Sequence, residues 1–357
     1  MTAVDSILIV KIGALGDVLR TTALLPGLLK SYPGARITWV VAAGAAPLID
    51  GWPGVVEPCV LDLEDPESTI EVLSGRSFSL VVSLDEEEAC CRVACSVKTE
   101  RFVGAFIDEA GSVDYTVEAR AWFDMSLISR FGKERADELK IENQRTHPEL
   151  LASMAGVEEG RPDLPLPKDA ERRAASFWAT EGLQGVKLVV GLNTGSGARW
   201  PSKQVDEART VEAATSLSKR LNDEVAFLVL GGKEEEARSA RILEGLRSQG
   251  LTAASSGSAN SLHEFAALVS RCDLIITSDS LCLHVAIARR VSVVAFFAPT
   301  SAQEIELYGM GEKVVSTTPD QCSYRPDADN STITPARLVE AALGALRGRG
   351  EREGRTI

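Results

Sequence analysis

The sequence contains no apolar run of the ~18–20 residues that a membrane-spanning helix needs. It has no leader pattern either. The opening Met1-Thr2-Ala3-Val4-Asp5 carries no cationic segment, and the first apolar stretch, Ile7 to Val10, is too short for a signal peptide. A cytoplasmic location is expected. Cationic surplus is missing too: 38 Lys and Arg stand against 51 Asp and Glu, a net charge of −13. That balance excludes broad nucleic-acid binding, which needs cations to displace counterions from phosphates. It leaves room for a local basic pocket that takes an anionic ligand. The seven cysteines are odd in number in a long chain, which excludes a secreted disulfide framework. Cys90, Cys91 and Cys95 cluster, but no fourth ligand lies at metal-site spacing. They read as small apolar side chains on a helix, and no metal is expected.

The chain does have ordinary globular composition, with 45% hydrophobic and 25% charged residues, which excludes bulk disorder. Its 357 residues suit two domains. Ser6 to Lys11 reads as a buried strand, followed by a glycine-punctuated turn and a helix from Val18 to Ser31. Ile37–Ala42, Val55–Leu61 and Leu80–Leu84 read as further strands. A helix over Asn143–Gly156 then leads into a proline-rich junction, Arg161 to Pro167, which no helix interior or central strand would hold. The expected domains are 1–165 and 166–357. The second half alternates again: strands at Lys187–Asn193, Val225–Leu230, Leu274–Thr277 and Val291–Phe297, with helices between them and a last helix from Pro335. Such alternation implies two α/β domains, each a doubly wound parallel sheet. Ligands of such sheets bind beyond the carboxyl ends of the strands.

Four segments carry candidate chemistry. Lys11-x-Gly13-x-x-Gly16-Asp17 follows the first strand, and its glycines would let backbone N–H groups approach a ligand. It lacks the third glycine and the strand-two acid of a dinucleotide site, and no Gly-Lys-Ser/Thr makes it a P-loop. Asp17 is either a carboxylate facing the cleft or a helix cap. Asn193 to Lys203 follows a strand with Thr194 and Gly195 leading to Arg199 and Lys203, a composition that suits either a diphosphate or an ordinary solvated loop. Asp279-Ser280 begins a helix whose first turn carries His284, either a phosphate turn or a cap with a structural histidine. Gly231-Gly232 before Glu234, Glu235 and Glu236 suits a ribose diol or simple complementation of the helix dipole. Asp327-x-Asp329 lies in a polar loop and receives no role.

Taken in order, these segments resemble glycosyltransferase family 9, the ADP-heptose:lipopolysaccharide heptosyltransferases. The resemblance rests on Ile7 to Val18, on Thr194 to Lys203 with its Arg-Trp-Pro core, and on Asp279-Ser280-x-x-x-His284 followed by Val293 to Thr300. It implies a GT-B architecture: two facing Rossmann-like domains around an interdomain cleft, acceptor on the first and nucleotide-sugar donor on the second. It implies inverting transfer, ADP-heptose as donor, and a lipopolysaccharide-core or other envelope glycan as acceptor. It requires no cofactor, and it allows peripheral contact with the inner membrane surface. Asp17 would be the general base, with Gly13 and Gly16 in its turn. Arg199 and Lys203 would offset charge on the departing diphosphate. Thr194, Gly195, Asp279, Ser280 and His284 would hold the phosphates, and one of Glu235 and Glu236 would take the ribose, Glu236 being preferred by its spacing from Gly232. The last helix would cross back onto the first domain. Three positions depart from the family: Leu281 and Ala298 replace usual glycines, and Ser292 a usual proline. A non-catalytic nucleotide-sugar binder on the same fold is the alternative that Leu281 feeds.

Overall fold

The computed structural model describes residues 6–195 and 200–353. The chain divides into two units, Met1–Pro165 and Leu166–Ile357.

In the first unit the strands are β1 (Ser6–Val10), β2 (Arg36–Val41), β3 (Val56–Val60), β4 (Ser77–Phe78), β5 (Leu80–Ser83), β6 (Lys98–Thr99), β7 (Phe102–Ile107) and β8 (Val113–Tyr115). β4 and β6 form a short ribbon of their own. The main sheet runs β3-β2-β1-β5-β7-β8, with only β8 antiparallel to its neighbour. Ile7 in the central strand lies between Ile37 and Leu80. Both faces of that strand are covered, so Ile7 to Val10 form a continuous apolar run with no exposure.

The helices are α1 (Leu15–Thr21), α2 (Leu24–Ser31), α3 (Pro66–Leu73), α4 (Glu88–Cys95), α5 (Arg120–Phe123), α6 (Lys133–Glu142) and α7 (His147–Ala155). The single helix expected over 18–31 is two. Pro26 offers no N–H, and its ring would collide with the carbonyl of Thr22, so the chain breaks at Thr22-Ala23. On α4, Cys90 is buried against Leu8, Val10 and Val81 and Cys91 is buried too, the apolar role read for them, while Cys95 is exposed. Thr146 and Glu149 cap α7 reciprocally, and Gly156 closes it in the left-handed conformation.

The second unit contains α8 (Lys168–Thr180), β9 (Leu188–Asn193), α9 (Glu207–Arg220), β10 (Val225–Val229), α10 (Glu236–Ser248), β11 (Ala253–Ser255), α11 (Leu262–Val269), β12 (Leu274–Ser278), α12 (Leu281–Ala288), β13 (Ser292–Phe297), β14 (Gly311–Val315) and α13 (Pro335–Glu353). Its sheet runs β11-β10-β9-β12-β13-β14, all parallel. Counted within its own unit, each sheet therefore has the strand order 3-2-1-4-5-6 of doubly wound folds. The short edge strands β8, β11 and β14 escape the hydrophobic pattern because they are brief or half-exposed. α12 is buried all round from Cys282 to Ala288, so its sequence shows no amphipathic stripe. α13 packs on its own unit: Leu338, Val339, Ala342 and Leu346 enter the core of the second unit beside Val294 and Phe296. Its apolar face is used there.

Gly104 in β7 sits at φ +118°, and a Cβ there would lie 1.8 Å from the Ser83 carbonyl oxygen of β5. Gly104→Ala should lower the unfolding free energy by ~3 kcal/mol or more in a urea titration, since backbone must move. Gly111→Ala, at φ +81° with open space around it, should cost only ~1 kcal/mol. Equal losses would show that the approach of β5 is not what demands Gly104.

Candidate active site

A doubly wound sheet opens where its strand order reverses, because the connections on either side leave toward opposite faces. In the first unit that point lies between β1 and β5, and the chain there supplies Lys11, the Gly13–Gly16 turn and Asp85. The Lys11 ammonium pairs with Asp85, and the Ile12 N–H donates to the same carboxylate. Burial raises the Asp85 pKa above the ordinary carboxylate value, and the Lys11 charge offsets part of that shift. Asp17 follows in the first turn of α1. It is not the N-cap; that position is Ala14, whose N–H donates to Asp17 Oδ2 at 3.3 Å. Asp17 Oδ1 pairs with Arg20 Nη2 at 2.9 Å. The Arg20 guanidinium lies over the Trp122 ring, 5.7 Å from its centroid, and Trp122 meets His147 edge-on at 5.1 Å. Lys11, Asp17, Arg20, Thr21, Trp122 and His147 line a cavity of about 30 Å³, room for one water.

In the second unit the reversal lies between β9 and β12. Asn193, the last residue of β9, ties three strand ends together. Its amide nitrogen donates to the Leu230 carbonyl after β10, and its oxygen accepts from the hydroxyls of Thr277 and Ser280 at 3.2 and 3.1 Å. Lys203 Nζ donates to both the carbonyl and the carboxylate of Asp279, at 2.9 and 3.0 Å. His284 Nε2 lies 3.8 Å from the other Asp279 oxygen. Lys203, Asp279, Ser280 and His284 are thus brought together at the start of α12, whose first-turn N–H groups lack intrahelical acceptors. Leu281 occupies the first position of that helix and is half-buried. Arg199 lies outside the described residues.

Two hydroxyls read as phosphate donors are engaged within the fold. Ser280 donates to Asn193, and Thr194, only 3% exposed, bonds Thr210 and Arg238. The carboxylate beside Gly195 is Glu235 rather than Glu236. A Cβ on Gly195 would meet Glu235 Cγ at 2.8 Å, and Glu235 Oε2 accepts from the Gly232 N–H at 2.7 Å. Glu236 is exposed at the start of α10.

Residues that the sequence reading missed hold this site in place. Arg238 donates to the Thr194 carbonyl, the Thr194 hydroxyl and the Val205 carbonyl, so it clamps both stems of the loop between β9 and α9. Burial lowers its pKa from the ordinary arginine value. Asn330 donates to the carbonyls of Ser202 and Gln204, bracing the short turn that carries Lys203. The Asp327-x-Asp329 loop therefore has a structural use. Asp85 had one available signal: a carboxylate just past the end of a predicted strand.

Among the described residues, Asp85, Glu87 and Cys90 lie close enough to share a cation. Their donors do not suit one, since Lys11 and Ile12 occupy Asp85 and burial keeps the Cys90 thiol protonated.

The profile of glycosyltransferase family 9 (heptosyltransferase) matches residues 128–332. The sequence matches no protein of curated function. The fold resembles the glycosyl transferase family 9 structure from Veillonella parvula, with a TM-score of 0.78 and 19% identity over 97% of this chain and 98% of that one. It also resembles E. coli ADP-heptose LPS heptosyltransferase II, with a TM-score of 0.66 and 18% identity over 96% and 99%. E. coli heptosyltransferase WaaC, solved with ADP-2-deoxy-2-fluoro heptose, gives 0.59 and 17% over 95% and 99%. These likenesses establish the GT-B type of fold.

Removing Lys11 leaves a buried carboxylate without its counterion, so its folded pKa rises further above the unfolded value. A raised carboxylate pKa favours the fold at low pH, and the advantage is lost as pH rises through the folded value. Lys11→Met should therefore cost ~3–5 kcal/mol at neutral pH and progressively less on acidification. Denaturant titrations across that range check it; a cost independent of pH would mean that the lost pair is not what destabilises the variant.

Proposed function

Since the chain belongs to glycosyltransferase family 9 and is a glycosyltransferase, we propose that it moves heptose from ADP-heptose, with inversion and without a metal. The acceptor is a lipopolysaccharide-core or other cell-envelope glycan, at the cytoplasmic face of the membrane. Contact with that membrane is peripheral, since no described helix is long and apolar enough to cross it. The observation that carries this reading is that each sheet offers, at its reversal point, the group one half of the reaction needs. The first unit presents the Asp17 carboxylate. The second presents a helix start with Lys203 and His284 around Asp279.

The second unit binds the nucleotide sugar. The N–H groups at the start of α12 and the cations of Lys203 and Arg199 hold the diphosphate and offset the charge that grows on it as the glycosidic bond breaks. Glu235, beside Gly195, accepts from the ribose hydroxyls. The first unit binds the acceptor. Asp17 takes the proton from the acceptor hydroxyl as that oxygen attacks the anomeric carbon on the face opposite the diphosphate, which inverts the configuration. ADP is preferred as the nucleotide because the solved relatives named for their donor are ADP-heptose enzymes.

Calorimetry should show ADP binding at least about tenfold tighter than GDP, UDP or CDP, which is ~1.4 kcal/mol, and unchanged by chelator. Preference for another nucleotide would replace the sugar, and failure to bind any would remove the donor reading. Asp17→Asn should lower kcat by roughly 10²–10⁴, the usual contribution of a general base, with ADP affinity unaltered. Full turnover in that variant would assign the base elsewhere.

A further inference from the structure

Asp17 and Arg20 are spaced as an ordinary helical ion pair, and an exposed pair of this kind contributes little. This one is built differently. The Arg20 side chain is only 15% exposed. Its guanidinium rests over Trp122, and Trp122 is fixed in turn by the edge of the buried His147 ring. α5 and α7 thus hold an arginine against one oxygen of the carboxylate. The two oxygens of Asp17 meet different donors: Oδ1 receives Arg20 at 2.9 Å, and Oδ2 receives the Ala14 N–H at 3.3 Å.

We infer that Arg20 is a positioning residue for the base: held against Oδ1, it sets the orientation of the Asp17 carboxylate and favours its ionised form. This rests on Asp17 acting as the base proposed above. The other charged and titratable groups on the same cavity are Lys11 at the end of β1 and His147 on α7, with Asp85 after β5 bonded to Lys11. The Lys11 ammonium is paired with the Asp85 carboxylate.

The test is a carboxyl-detected NMR titration of aspartate-labelled protein, with Asp17→Asn identifying the Asp17 signal. It is run beside pH profiles of kcat/KM with ADP-heptose. In Arg20→Gln the Asp17 midpoint should rise by about one pH unit or more, the usual effect of a lost arginine neighbour. The acid limb of kcat/KM should move by the same amount. The kcat should fall about tenfold from misorientation, within the range that small displacements cause, while the donor KM stays within about twofold. Arg20→Lys should restore the midpoint more than the rate, because it returns the charge without the planar fork. An unchanged Asp17 midpoint, or a slower enzyme whose acid limb has not moved, overturns the inference and leaves the proposed function standing. A midpoint that moves in a wild-type protein that transfers no sugar overturns the functional reading, and Arg20's catalytic role with it.

Discussion

Two adjacent parallel strands whose crossovers leave toward opposite faces cannot be roofed over at their carboxyl ends. Everything chemical in this protein depends on that constraint. It operates twice, once between β1 and β5 and once between β9 and β12. The rest of each sheet serves to hold those strand ends at the spacing that parallel hydrogen bonding dictates. The residues that matter are therefore the ones immediately after a strand: Lys11 and Asp85 in the first unit, Thr194 and Asp279 in the second.

Each opening exposes strand ends whose polar groups need partners, and the two units meet that need differently. The first uses a buried ion pair, Lys11 with Asp85, reinforced by a backbone donor. Such a pair contributes little net stability, but it is costly to break, so it fixes the turn that leads to Asp17. The second ties its strand ends through a neutral side chain, with the Lys203–Asp279 pair beside it at the start of α12. Asn193 ties the ends of three strands with one donor and one acceptor oxygen, and it leaves no charge to compete with an anionic ligand.

The sheet strands at the centre of each unit were legible because burial on both faces leaves an uninterrupted apolar run, as at Ile7 to Val10 and Val225 to Val229. The edge strand β3 was read too, but the edges β8, β11 and β14 and the inner strand β7 were not; β14, for one, carries Glu312 and Lys313 and needs no such run. Pro26 held the break between α1 and α2 in plain view, but the strength of the apolar pattern on either side hid it. Within the candidate site, the turns were legible from glycine, hydroxyl and acid placement. Their supports were not. Asp85, Arg238 and Asn330 act across long stretches of sequence, and nothing local marks a side chain whose partner the fold brings from far away. Nor does spacing show that Glu235 is the side chain lying against Gly195.

The clamp that Arg238 makes on Thr194 and Val205 has an evolutionary corollary. The Val205 N–H also donates to the Thr194 carbonyl at 3.2 Å, so the loop between β9 and α9 springs from a closed, locked base. A loop on such a base can change in length and charge without disturbing either element. Doubling a loop costs only ~0.6 kcal/mol in closure entropy. Descendants of this chain can therefore lengthen or recharge that connection by small insertions above a fixed stem, leaving β9, α9 and both cores untouched.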